Sequence, residues 1–166
     1  MAQSKLVMFH VPDDEVLLAA VGKVALLHEH MNYVLRMAIK TFADITVAEA
    51  IAATKYESSR QLRNRVRALA RKRLGEGAPL LRLQAMLVTC ETLTERRNEL
   101  VHGIWAKELD GDPQIRDAHG TPRPVPAVQE LASLAADIKN HTYQLNFERM
   151  EGFIKVALAA RKANDA

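Results

Sequence analysis

The reading turns on ERRNELVHGIW, residues 95–105. It lies late in a run whose apolar residues recur at helical spacing: Leu83, Met86, Leu87, Cys90, Leu93, Leu100, Val101 and Ile104. With about 100° per residue, Cys90, Leu93, Val101 and Ile104 fall within roughly 40° of Arg97. The arginine therefore sits on the stripe that should face inward. An unpaired buried charge costs several kcal/mol, so Arg97 needs an anionic partner, a hydrogen-bonding partner or a wet cleft. His102 projects about 140° away on an ideal helix, on a flank shared with Glu91, Glu95 and Asn98. Asn98 and His102 are four apart and can touch. A plain structural reading also exists. Arginine and histidine favour a helix C-terminus, Gly103 can end the helix, and a buried arginine can pair with a glutamate of a neighbouring helix.

Outward from this stretch the chain reads as helices. Leu17, Val21, Val24, Leu27, Met31, Val34, Leu35, Ala38 and Phe42 predict a first helix over 13–43, capped by Asp13 or Asp14. Residues 44–54 predict a short helix capped by Asp44 or Thr46. Ser58 or Ser59 opens a second main helix with Leu62, Val66, Leu69 and Leu74 inward, ended by Gly75 and Gly77. Pro79 stands at a tolerated first-turn position, so the third main helix is expected over 79–105. A last helix is expected over 127–162, with Val128, Leu131, Leu134, Ala135, Ile138, Leu145, Phe153, Val156 and Ala160 on its stripe. Between these two, residues 106–126 hold two glycines and four prolines. They predict an irregular loop or a small hairpin turned at Asp110-Gly111. The expected fold class is all-α: a bundle of four main helices with a short extra helix, in a single domain over 1–166. Helices this long with wide apolar faces also call for a covering partner chain.

Composition bounds the function. The 166 residues suit one core, and 48% hydrophobic with 26% charged is a globular balance. No apolar window is long enough for a membrane span. MAQSKLVMFHVPDDE has no basic region followed by a long apolar one, so no secretory signal is expected. A lone cysteine, Cys90, fits a reducing cytoplasm, and on the apolar stripe it reads as a buried, inert thiol. The net charge of +3 decides little. Its distribution says more: residues 60–73 carry seven Arg or Lys and no acid. Arg60, Arg63, Arg67 and Arg71 align along one helical side, which can track an RNA backbone or be a solvated face. His28 and His30 stand about 200° apart, poor geometry for a shared metal. His28 with Asn32 is better placed to face the Arg97 cleft. His119 and His141 read as surface residues. Trp105 reads as a core anchor against the proline-rich segment. Residues 75–77, GEG, lack the lysine of a phosphate loop. No metal and no cofactor is expected.

Arg97-Asn98, three residues and His102-Gly103 resemble the Arg-x4-His signature of the HEPN superfamily (higher eukaryotes and prokaryotes nucleotide-binding). The polar residue after the arginine and the histidine–glycine pair are both typical of it. The order of helices resembles that family over most of the chain. The resemblance implies a metal-independent endoribonuclease, a toxin or defence protein, acting as a homodimer whose Arg and His residues meet at an interface cleft. It implies RNA as substrate and an antitoxin protein as partner. It assigns phosphate binding to Arg97, proton transfer to His102 and orientation to Asn98. The chemistry is coherent, since an imidazole moves protons near neutral pH and a guanidinium forks onto phosphate oxygens. Two other readings stay open: a non-catalytic helical module for nucleotide, RNA or protein, and a structural helical dimer.

Overall fold

A computed structural model describes residues 7–164. Six helices and four strands follow the order β1 (Val7–Phe9), α1 (Glu15–Ala43), α2 (Val47–Thr54), α3 (Ser59–Leu74), α4 (Ala78–Val101), β2 (Ile104–Glu108), β3 (Pro113–Arg116), β4 (Pro122–Pro124), α5 (Val128–Met150) and α6 (Phe153–Asn164). The early helices start where their caps predict. The Asp14 side chain accepts from Leu17 N–H at 3.0 Å. Thr46 and Ser58 each form a reciprocal capping box, with Glu49 and Gln61. Gly75, at φ 68°, takes the left-handed turn that ends α3.

The first helix is the hub. It packs against α2, α3, α4 and α5, while α6 lies against α3, α4 and α5. Its inward stripe is as expected: Leu17, Val24, Met31, Val34, Leu35, Ala38 and Phe42 are buried. From the other helices Leu62, Val66, Leu83, Leu87, Cys90, Leu93, Leu131, Leu134, Ile138, Leu145 and Ile154 close an aliphatic core. At about 1.5–3 kcal/mol per buried aliphatic side chain, this burial is the main favourable contribution to the fold.

The all-α expectation is corrected in one region. The chain is mostly helical, but residues 104–124 and 7–9 form an antiparallel sheet in the order β1-β2-β3-β4. The hairpin expected at Asp110-Gly111 is present: Trp105 faces Ile115 and Lys107 faces Pro113 across it. It is extended on both sides, by Val7 opposite Glu108 and by Gln114 opposite Pro124. Two prolines in β4 are tolerable because β4 is an edge strand among the described residues, where the missing proline N–H groups cost no ladder bond on the outer side.

Two helices are shorter than expected. The third main helix stops at Val101, so Ile104 and Trp105 belong to a strand. The inward placement of Val101 and Ile104 is overturned, since they are 39% and 46% exposed. Helical angles cease to apply where the helix ceases. The expected single helix over 127–162 breaks at Glu151-Gly152. The Glu148 carboxylate accepts Phe153 N–H at 2.9 Å and so starts α6 afresh. Val156 and Ala160, expected on the stripe, are exposed. Among the described residues, no helix is long and apolar enough to cross a membrane.

Candidate active site

The end of α4 is built by tight packing. His102 takes the cap position at φ −104° and ψ −6°, with its N–H on the Asn98 carbonyl at 2.9 Å. Trp105, from β2, returns its indole N–H to the Leu100 carbonyl at 2.9 Å. This satisfies one carbonyl that the helix end leaves without a partner. A Cβ on Gly103 would run into Ile115 Cγ2 and stand 2.5 Å from the Glu99 carbonyl oxygen. The glycine after the histidine is thus demanded by the approach of β3 to the helix end.

Arg97 lies on the inward stripe, in line with Cys90, Leu93 and Leu100, and is half-buried. Its Nη1 donates to Asn98 Oδ1 at 3.0 Å and reaches His102 Nε2 at 3.4 Å. The two side chains meet within one chain despite the angle expected between them. The long arginine arm spans it, and His102 sits at the cap beyond the last helical residue. A guanidinium can only donate. Nε2 is therefore the accepting nitrogen in this contact, and the ring proton sits on Nδ1. The Nε–H of Arg97 is buried and has no acceptor among the described residues. His102 is exposed. The arrangement sets a proton acceptor, an amide and a cation side by side at a solvent-facing helix end.

A second polar cluster lies inside, between α1, α3 and α4. The Thr94 hydroxyl donates to the Cys90 carbonyl at 2.7 Å. Having spent its one proton, it accepts from Arg63 Nη1 at 3.2 Å and from His28 Nε2 at 3.1 Å. His28 is therefore the Nε2–H tautomer, with Nδ1 buried and unpartnered. Burial, then the nearby Arg97 charge, pulls its pKa down to about 4; Arg63 lowers it further and Glu29 opposes. Asn32 does not join His28. It donates to Glu29 Oε2 at 2.9 Å and accepts from Ser59 at 2.7 Å.

The basic stripe of α3 is corrected at one position. Arg63 is 4% exposed, bonded to Thr94 and paired with Glu91 at 3.4 Å. With Arg60 at zero, Leu62, Val66, Ala70 and Leu74 span about 200–320°, and Arg63 falls at about 300°, inside that arc. Arg67, half-buried, also meets Glu91, at 3.5 Å. Arg60 and Arg71 are exposed, Arg71 with Glu76 at 3.4 Å. Of the four aligned arginines, Arg60, Arg67 and Arg71 keep access to solvent.

The other histidines divide. His119 is exposed as expected. His141 is not a surface residue: it is half-buried, with Nε2 2.9 Å from the Met86 carbonyl, and burial lowers its pKa. Cys90 is fully buried, and burial pushes its thiol up to about 12, as suits an inert side chain. No group of three or more His, Cys, Asp or Glu is gathered for a metal among the described residues.

Sequence reasoning overlooked Thr94, the shared partner of His28 and Arg63, although its position beside Leu93 and Cys90 on the inward stripe was readable. It also overlooked Glu99 and Arg123, an ion pair at 2.6 Å joining α4 to β4. No spacing rule links residues so far apart. Family models, curated proteins and solved structures offer no match to this chain.

Proposed function

We propose that the protein is a metal-independent endoribonuclease of the HEPN type, acting in the cytoplasm as a homodimer. The observation that carries this reading is the contact of Arg97 Nη1 with both Asn98 Oδ1 and His102 Nε2. RNA brings its own nucleophile. His102 Nε2 accepts the proton of the 2′-hydroxyl as that oxygen bonds to phosphorus. Arg97 turns its donors onto the phosphate oxygens, where negative charge grows. Asn98 holds the guanidinium in line. The P–O5′ bond breaks, and the leaving oxygen takes a proton from a second imidazole, supplied by the other copy. The products are a 2′,3′-cyclic phosphate and a 5′-hydroxyl.

The exposed Val101 and Ile104 flank His102-Gly103 and support a second copy covering this end of α4. Arg60, Arg67 and Arg71 give the flanking RNA a cationic track. A toxin or defence role, held in check by an antitoxin protein, accompanies the same resemblance. The alternative reading, a non-catalytic module that holds a nucleotide, is favoured by a cavity that opens beside Asn98 and His102.

The test is cleavage of several RNAs in EDTA by wild type and His102→Ala, matched for folding and oligomeric mass. The expected loss in the variant is about 10²–10⁴-fold, the usual worth of general acid–base catalysis. Intact RNA with concentrated wild-type protein, or equal cleavage by the variant, would sink the reading.

A further inference from the structure

Asn98 and His102 belong to the wall of a cavity of about 500 Å³ between the end of α4, the sheet and the start of α5. Clefts that take small ligands run about 300–1,000 Å³. The depth of this one is aliphatic, from Leu100, Ile115, Leu131 and Leu134. Such a wall receives the flat face of a ring by excluding water from it. Charged groups stand around it, and most are already engaged. Asp117 Oδ1 accepts from the backbone of His119 and Thr121, at 2.8 and 2.9 Å. Glu130 accepts from Ala127 N–H at 2.8 Å, and Arg96 pairs with Asp137 at 3.0 Å. Glu99 and Arg123 are paired too, at 2.6 Å, but unlike Arg96 and Asp137 both partners belong to the cavity wall, each about half exposed. This pair sets a carboxylate with spare lone pairs beside a guanidinium with spare donors.

We propose that this cavity is the subsite for a guanine base adjoining the phosphate held at Arg97 and His102. Among the four bases, guanine alone carries two adjacent donor groups, N1–H and N2–H₂, next to an acceptor, O6. Glu99 receives the two donors and Arg123 serves O6. Adenine and cytosine place a ring lone pair where the carboxylate would sit, and uracil flanks its one N–H with carbonyls. The adjoining phosphate rests on the ribonuclease reading above, whereas the base preference rests on the cavity.

The experiment is equilibrium binding of 3′-GMP, 3′-AMP, 3′-CMP and 3′-UMP to the full chain, with base preference mapped separately on cleaved RNA. 3′-GMP should bind about tenfold tighter than the others, the worth of one charge-assisted hydrogen bond. Glu99→Gln should erase that preference. Ala118→Trp, at an exposed wall position, should block binding by filling the cavity. Equal affinity for all four nucleotides, or a preference untouched by both variants, would overturn the proposal. RNA cut without base preference overturns the guanine subsite and leaves the ribonuclease standing. Intact RNA with Glu99-dependent 3′-GMP binding removes the ribonuclease and keeps the guanine site.

Discussion

Two histidine–arginine pairs flank α4, and they have opposite surroundings. His28 and Arg63 share the Thr94 hydroxyl, and only 2% and 4% of their surfaces meet solvent. His102 and Arg97 touch each other at the helix end, where the imidazole faces solvent. The residue types are the same. Access and the partners already taken separate the structural pair from the one proposed to react. Inside, Thr94 takes Nη1 and Glu91 takes Nη2 of Arg63, while Nε, as in Arg97, is buried without a partner. At the helix end, Arg97 bonds through Nη1 to Asn98 and His102, with no carboxylate among its hydrogen-bond partners.

The sharpest way to break this contrast is to truncate each arginine. Arg63→Ala should cost about 2–4 kcal/mol in urea unfolding, because it empties a buried site and strips Thr94 and Glu91 of a partner. Arg97→Ala should shift stability by about 0.5 kcal/mol or less while abolishing cleavage. Equal destabilisation by both would erase the distinction. A second probe uses pH. The folded pKa of His28, about 4, lies below its ordinary 6.5, so between those values the unfolded chain binds a proton that the folded one refuses. Stability is therefore complete above pH 6.5, declines as pH falls toward 4 and then levels off, for a loss of up to about 3 kcal/mol. His141 adds a change of the same sign. The quantity to compare is thus the slope of wild type against His28→Gln, which should be shallower; parallel slopes would contradict the buried neutral imidazole. A third probe sits at the seam between the regions. Gly103→Ala should cost about 1–3 kcal/mol by pushing β3 away from the helix end, read as a lower Tm. An unchanged Tm would mean that the seam yields freely.

The helical part was legible because its signals are local. Asp14, Thr46 and Ser58 announce their helices, and period-3.6 stripes announce what faces in. Arg97 on its stripe was readable in the same way, but the touch expected between Asn98 and His102 is made through Arg97, which bonds to both side chains. Of the sheet, the central hairpin was legible at Asp110-Gly111 but the outer strands were hidden, because β1 is three residues whose partner lies near residue 106, and β4 is written with two prolines. Where α4 ended was hidden too, since apolar spacing runs on through Ile104. Gly152 stands at the break between α5 and α6, but the apolar stripe runs on across it. Arg63 went astray because aligning it with other arginines ignored its place among Leu62, Val66 and Ala70.

The pairing of Val7–Phe9 with Ala106–Glu108 has a consequence in time. This pairing closes a loop that spans most of the protein, and so does the packing of α1 on α5, whereas α1, α2 and α3 meet over short stretches of chain. Long-range closures are the slow ones. During synthesis the first strand waits until β2 has emerged, and β2 is the strand that follows His102 directly. The helix end bearing the Arg97–His102 contact is therefore among the last parts to set. For a protein whose proposed activity destroys RNA, this closure keeps the site incomplete while helices α1 to α4 are being made.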